Sequence, residues 1–290
     1  MTLHCFENDV DTGLLDQKPY LFHHKLLGHP ALELSNLARV IPALPKDRVM
    51  YSKGLLKNGD DFETTFRRRP ADRSIEETIE EIRKVDSYVM IRSPEIDPTF
   101  ADLHRELLSD VEALMRKQGV GETAVDPQLY LFIASPNSVT PFHIDRYSTF
   151  LMQFRGSKEL VVFDAWDERV VSSENCEAYV TYNNTRLPWS PEVDALGTRF
   201  RFSPGDALHI PFVAGHHVRN GPDDVSISMS IIFNSGQSMA WRRALAFNHL
   251  ARPVLGKIGM RPQPVGQLGW RDATKAGVWR SVAAARQLFR

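Results

Sequence analysis

Residues 129–163 read LYLFIASPNSVTPFHIDRYSTFLMQFRGSKELVVF, and this stretch decides the fold class. Short runs rich in aromatic and aliphatic residues, Leu129–Ala134, Thr149–Phe154 and Leu160–Phe163, are separated by Pro, Asn, Asp and Gly. This spacing predicts short strands joined by turns. Two later runs, Ala207–Ile210 and Val225–Phe233, continue the pattern. We therefore expect a mainly β protein built as a barrel or jelly roll.

Two polar runs inside this region are predicted turns. Arg155–Lys158 has the composition of a tight hairpin turn, and Ser203–Asp206 places Pro and Gly where turns favour them. Residues at about 165–200 are polar and aromatic with few strand signals. They predict an insertion between barrel strands, of the kind that shapes a substrate entrance.

The first third of the chain has helical and irregular patterns. Ser74 and Glu77 form a capping box, and Asp97-Pro98 starts a clearer helix that ends before Gly119. A shorter helix is predicted from the apolar positions Leu34, Leu37, Val40 and Ile41. We therefore divide the chain into an N-terminal helical and irregular region (1–125), a barrel (126–237) and a C-terminal helical segment with a basic tail (238–290).

Composition excludes several classes of protein. The chain has 290 residues, 42% hydrophobic and 24% charged, with a net charge of −1, which is typical of a globular protein and not of a whole-chain polyanion binder. It has no export signal and no membrane-length apolar run, so we expect a soluble cytoplasmic protein without membrane contacts. Cys5 and Cys176 are too few for a disulfide framework.

The C-terminal segment combines an apolar helix with basic residues. Apolar positions Trp241, Leu245, Phe247 and Leu250 cover a wide arc of a helix predicted at Ala240–Leu250, which favours burial in a homodimer interface. The segment contains ten lysines and arginines and one acidic residue, Asp272. Without a nucleic-acid-binding motif we expect these cations to cap helices, face solvent or contact a partner, and we expect no nucleic-acid binding.

A metal signature begins at Thr140-Pro141-Phe142-His143-Ile144-Asp145. His143 and Asp145 are two apart on a predicted strand and so point to one face, although an isolated His-x-Asp is weak evidence. A second piece follows at Ser203–Val218, where a turn, a strand and a proline lead to His216 and His217. Two histidines and a carboxylate on one side of an ion form the facial triad of non-haem iron(II) sites.

These residues resemble the jumonji-type, cupin-fold 2-oxoglutarate oxygenases, and especially their asparaginyl-hydroxylase-like (factor-inhibiting-HIF-like) members. The resemblance covers roughly residues 129–234 and implies a double-stranded β-helix, the cupin barrel. Its pattern is matched here by Thr140, Pro141, His143, Asp145, Lys158, Pro204, Gly205, Asp206, Ile210, Pro211 and His216. It selects His143, Asp145 and His216 as catalytic iron(II) ligands. His217 remains the alternative to His216, and His209 is expected to be packed or hydrogen-bonded.

The resemblance also implies binding partners for 2-oxoglutarate. Lys158 would pair with its distal carboxylate and Thr140 would donate to it, with Tyr130 as a weaker candidate. The other reading of Lys158 is an exposed hairpin lysine. Thr149 and Ser230 stand where asparagines lie near the cosubstrate in the asparaginyl-hydroxylase relatives.

The implied activity is that of a 2-oxoglutarate-dependent non-haem iron dioxygenase. Dioxygen and 2-oxoglutarate would be consumed, and an unactivated C–H bond of a peptide or protein side chain or of a small molecule would be hydroxylated, with a peptide or protein preferred. The alternative is a cupin-fold protein without turnover, acting as a regulator or nucleic-acid-binding sensor. Fold alone does not select the substrate.

Overall fold

The computed structural model describes residues 3–53, 56–65, 82 and 87–288. Within these ranges the strands form two antiparallel sheets. The strands are β1 (Tyr20–His23), β2 (Val49–Lys53), β3 (Ser87–Arg92), β4 (Val125–Ala134), β5 (Val139–His143), β6 (Ser148–Arg155), β7 (Lys158–Val162), β8 (Thr198–Phe202), β9 (Asp206–Ile210), β10 (His216–Asn220) and β11 (Ser226–Asn234). The helices are α1 (Leu34–Ala43), α2 (Phe62–Thr65), α3 (Pro98–Gln118), α4 (Ser173–Val180), α5 (Gly236–Gly256) and α6 (Gly269–Leu288).

The larger sheet has the order β1-β9-β6-β11-β4-β3-β2, and the smaller has the order β5-β10-β7-β8. Together they confirm the predicted mainly β architecture, with helices at both ends of the chain. Along β11, residues alternate between two faces of the larger sheet, as strand geometry requires. Met229 and Ile231 join the core against α3, whereas Ser230 and Ile232 line a cavity between the sheets.

Helix α3 begins and ends where its sequence predicts. The Asp97 carboxylate accepts from the backbone N–H of Thr99 (2.9 Å), Pro98 occupies the first turn, and Gly119 ends the helix at φ +76°. Its buried stripe covers the outer face of the larger sheet and so holds the cavity-lining face in place; it comprises Phe100, Leu103, Leu107, Val111 and Leu114.

The predicted hairpin at Arg155–Lys158 is wrong. It joins β6 to β7, and these strands lie in different sheets and do not pair with each other. Gly156 makes the turn at φ +65°, where a Cβ would lie 2.7 Å from the Val225 carbonyl oxygen, so a glycine is needed. The turn at Ser203–Asp206 is confirmed, with Asp206 N–H donating to the Ser203 carbonyl (3.0 Å).

The N-terminal region contributes more strand than the sequence indicates. β1, β2 and β3 all belong to the larger sheet, with β1 paired to β9 and β3 paired to β4. The helix predicted after Ser74 lies outside the described residues. The predicted insertion contains α4, and its last residues form β8. The division of the chain near residues 125 and 237 stays a prediction.

Helix α5 packs on its own barrel. The Trp241 ring stacks on Phe212 (6.2 Å between centroids), Leu245 is buried in the same cluster, and Arg252 pairs bidentately with the fully buried Glu177 at 2.7 Å. Trp241 and Leu245 are therefore covered by residues of their own chain, and the homodimer stays a prediction. No helix in the described part of the chain is both long and apolar enough to cross a membrane.

Candidate metal centre

The side chains of His143, Asp145 and His216 converge at one end of the cavity. One ligand atom from each lies within 4.8 Å of the others. The two histidines are direct partners across the β5–β10 pair, which places both imidazoles on the same side of the smaller sheet. Asp145 lies beyond the end of β5, so the predicted placement of both residues on one strand is wrong. The chain bends after His143 and returns the carboxylate towards both rings.

Backbone carbonyls orient both imidazoles. His143 Nδ1 lies 2.7 Å from the Pro141 carbonyl oxygen, and His216 Nδ1 lies 3.0 Å from that of Ala214. A carbonyl can only accept, so each Nδ1 carries a proton, and Nε2 is the ring nitrogen left to face the Asp145 carboxylate. The two Nε2 atoms lie 3.9 and 3.8 Å from the Asp145 carboxylate oxygens. Burial, with a smaller contribution from His216, lowers the pKa of His143 to about 3, which keeps its ring neutral.

Asp145 is held by its neighbours. Thr149 Oγ1 donates to its Oδ2 at 3.1 Å, and the Val213 N–H donates to its backbone carbonyl at 3.2 Å. Val213 has φ +56°, an uncommon conformation for a β-branched residue, in the loop immediately before His216. The loop and the carboxylate are therefore positioned together.

A buried acid from the start of the chain supports this loop. Asp16 accepts from Ser148 Oγ at 2.7 Å and from the Phe212 N–H at 3.0 Å, while its own N–H donates to His209 Nε2 at 2.9 Å. His209 Nδ1 faces the Thr149 carbonyl at 3.2 Å. His209 is therefore packed and hydrogen-bonded, as the sequence predicts, and its neighbour Thr149 contacts the metal-site carboxylate.

The donor set fits iron(II). Two neutral imidazole nitrogens and one carboxylate are ligands that this ion takes in facial-triad sites. All three residues line the cavity, so an ion held by them would be accessible to a ligand bound there. The same donors also suit other divalent ions, so both metal binding and the choice of iron(II) stay predictions.

The cavity has a volume of about 370 Å³ and lies against the inner face of the larger sheet. All the predicted cosubstrate residues, Thr140, Lys158, Tyr130, Thr149 and Ser230, line it together with the three predicted metal ligands. Their roles towards 2-oxoglutarate remain predictions.

Lys158 is buried, with 8% of its surface exposed, which excludes the exposed hairpin reading. Its Nζ donates to Ser228 Oγ at 2.7 Å, and among the described residues it has no carboxylate partner. Burial lowers the pKa of Lys158 to about 7. Burial disfavours the charged form because an ammonium group without a counter-ion is costly in such a place.

Several cavity residues carry no signal in the sequence. Tyr88 on β3 is buried, and its hydroxyl is hydrogen-bonded to the Thr140 side chain. Arg92, on the same strand, also lines the cavity. The run Ser87–Arg92 is apolar on both sides and gives no alternating pattern to mark a strand.

The rim of the cavity comes from distant segments. Phe62 stacks on the His143 ring at 4.3 Å between centroids. Arg146 lies against the rings of Tyr179 and Tyr182 (4.3 and 3.7 Å) and pairs with Glu63. No local sequence pattern marks these residues. They narrow the approach to the metal centre from the side of α2 and α4.

His217 lies on the opposite face of β10 from His216. Its Nε2 is 2.8 Å from Asp194 Oδ1 in the insertion. It is therefore absent from the His143, Asp145 and His216 cluster, and it ties the insertion to the smaller sheet.

Comparison with known proteins gives one family match and weaker likenesses. A family model described as the cupin-like domain matches residues 43–239. A search of the curated proteins found no match.

Solved structures with a likeness include YcfD, a ribosomal oxygenase from Escherichia coli in complex with cobalt and 2-oxoglutarate. It is 12% identical with a TM-score of 0.48, over 88% of this chain and 57% of that one. Another E. coli ycfD structure is 11% identical with a TM-score of 0.49, over 91% and 63%. A Lactobacillus farciminis oxalate decarboxylase formate complex is 18% identical with a TM-score of 0.26, over 37% and 24%. The chain thus spans less than two thirds of each of these proteins.

Proposed function

The chain belongs to the family of cupin-like domains, and we propose that it is an iron(II)- and 2-oxoglutarate-dependent oxygenase. One observation carries this proposal: a cluster of two histidines and an aspartate shares a cavity with Lys158, a buried lysine without a carboxylate partner among the described residues. The cluster suits a divalent ion and the lysine suits an anion. A 2-oxo acid with a second carboxylate satisfies both.

Each protein group has a stated task in this proposal. His143, Asp145 and His216 would hold the ion, and Thr149 would keep the Asp145 carboxylate turned towards it. Iron(II) bound there would supply activation of dioxygen, coupled to conversion of 2-oxoglutarate to succinate and carbon dioxide and to hydroxylation of a C–H bond. Lys158 and Thr140 would orient the distal carboxylate of the cosubstrate.

The remaining residues exclude water and orient the substrate. Phe62 covers one imidazole, and the Arg146–Glu63 pair with Tyr179 and Tyr182 closes the rim. Enclosure of this kind strengthens the interactions of charged groups inside the cavity. We propose a peptide or protein side chain, or a small molecule, as the substrate.

We also propose a cytoplasmic setting and a homodimer. Cys5 and Cys176 are buried free thiols, which suits a reducing compartment. The C-terminal helices and the segment between them expose large apolar side chains that a second copy would cover about a two-fold axis. They are Leu250, Val254, Ile258, Met260, Leu268, Trp270 and Val278.

The test is an anaerobic titration of the metal-free protein with iron(II) and 2-oxoglutarate, followed by a succinate assay in air. We expect about one iron per chain, cosubstrate binding that depends on iron, and succinate in excess of that formed by the Asp145→Ala variant. Binding of both without succinate would identify a sensor instead of an enzyme. Failure of 2-oxoglutarate to bind the iron-loaded protein would refute the proposal.

A further inference from the structure

The cavity contains one more cation than the proposed reaction uses. Its basic side chains are Arg92, Arg146 and Lys158. Arg146 is neutralised by Glu63, and Lys158 is assigned to the cosubstrate. Arg92 has no carboxylate within ion-pair distance among the residues that the structure describes.

The Arg92 side chain hydrogen-bonds to that of Tyr130, an uncharged partner, and one of its donors remains unpaired. Its Nε is buried without a partner, and its Cζ lies 6.0 Å from the centre of the Tyr130 ring. A guanidinium carries five N–H donors in a planar fork, and buried donors left unpaired are costly. The group that such a fork pairs with best is a carboxylate or phosphate.

The strand register separates Arg92 from the predicted cosubstrate position. Lys158 reaches Ser228 on β11, and Thr149, which contacts Asp145, is opposite Ile232 on the same strand. A ligand spanning the metal centre and Lys158 therefore follows β11 and β6.

Arg92 lies to one side of that line. It is opposite Tyr130 on β4, and Tyr130 is opposite Ser230 on β11. Arg92 is thus two strands away from β11, about 10 Å at the usual strand spacing, and level with the middle of the line. An anion on Arg92 would occupy the cavity beside the cosubstrate and within reach of the metal centre.

We propose that Arg92 binds an anionic group of the substrate, so that the substrate carries a carboxylate or phosphate near the C–H bond that reacts. That the anionic molecule is a substrate rests on the proposed function. The anion site itself is inferred from Arg92 and does not depend on that function. The apolar lining beside it, Met50, Met90 and Phe132, suits the uncharged remainder of such a molecule. An acidic small molecule and an acidic peptide side chain share this chemistry.

The test measures charge preference in the full chain loaded with cobalt(II), an unreactive substitute for iron, and saturating 2-oxoglutarate. Calorimetry compares benzoate with benzamide, and an acetylated Ala-Asp-Ala amide with its Asn counterpart. We expect at least one carboxylate to bind about ten- to a hundredfold more tightly than its matched amide, as charge-assisted pairing implies. Preference within the first pair indicates a small acid, and preference within the second an acidic peptide.

Variants then assign the preference to its residue. Arg92→Gln should abolish it and Arg92→Lys should keep part of it, while 2-oxoglutarate affinity stays within about twofold. Arg201→Gln is the matched control, because Arg201 is an exposed arginine outside the cavity. Thermal unfolding verifies that each variant is folded. If Arg92→Gln does not fold, the comparison uses Arg92→Lys in its place.

Two results would overturn the inference: equal binding of both members of both pairs, or loss of 2-oxoglutarate affinity in Arg92→Gln, which would assign Arg92 to the cosubstrate. The same titrations in metal-free protein test the Arg92 anion site separately from the proposed function. If cobalt(II) and 2-oxoglutarate do not bind but a carboxylate preference that depends on Arg92 persists, the anion site stands and the oxygenase proposal fails.

Discussion

Burial of Lys158 predicts two pH dependences of opposite sign. With a pKa of about 7, this lysine is charged in about three quarters of free protein molecules at pH 6.5 and in about 3% at pH 8.5. Only the charged form pairs with a carboxylate. The dissociation constant of 2-oxoglutarate should therefore rise roughly 25-fold between these pH values.

Affinity for 2-oxoglutarate thus falls as the pH rises, whereas the free energy of unfolding should rise. An unfolded lysine keeps its ordinary pKa near 10.5, so between about pH 7 and 10 the unfolded chain binds more protons at this residue than the folded one. Stability of the ligand-free protein should rise with pH across this window, by up to about 1.4 kcal/mol per unit from this group.

The Lys158→Met variant removes both effects. Its 2-oxoglutarate affinity should be about ten- to a hundredfold weaker at pH 6.5 and nearly independent of pH, with metal binding retained. Calorimetry at several pH values gives the affinities, and urea unfolding gives the stabilities. Lys117→Met is the matched control, since Lys117 is an exposed lysine on α3. A wild-type affinity that does not change between pH 6.5 and 8.5, or a variant that keeps the slope, would refute the reasoning.

Three further outcomes are expected. Iron(II) with 2-oxoglutarate should give a weak visible charge-transfer band that His143→Ala and Asp145→Ala lose; a full band in folded Asp145→Ala protein would remove that residue from the site. Thr149→Val deletes the hydroxyl that donates to Asp145 and should weaken iron binding about ten- to a hundredfold by metal titration; unchanged affinity would mean that this bond does not position the carboxylate. Light scattering should show a dimer for the full chain and a monomer for a Val254→Asp, Ile258→Asp double variant; a monomeric wild type would end the dimer proposal.

The sequence predicts the centre of the site better than its surroundings. His143, Asp145, His216 and Lys158 lie in short motifs whose residue types are chemically distinctive, and all four line one cavity. The strand assignment within the motif was less accurate, because β5 ends at His143 and local pattern does not fix where a strand bends.

Residues whose role comes from distant contacts could not be predicted. Arg92 lies at the end of a strand that is apolar on both faces. No alternation of apolar and polar residues therefore indicates which face of the sheet its side chain is on. Asp16 is an ordinary acid in sequence, yet its partners Ser148 and Phe212 are 132 and 196 positions away. Such burial depends on how the sheets close, which composition and spacing do not encode locally.

The contacts of Asp16 also have a consequence for the order in which the molecule is assembled. The loop before His216 acquires its support only when the first strand has paired with β9 and brought Asp16 onto the Phe212 N–H. Closure across nearly two hundred residues is slow compared with local turns and helices. A refolding chain should therefore acquire its affinity for metal late, after most of its secondary structure has formed. The rate at which it binds added metal ion would then report the rate at which the first strand pairs with β9.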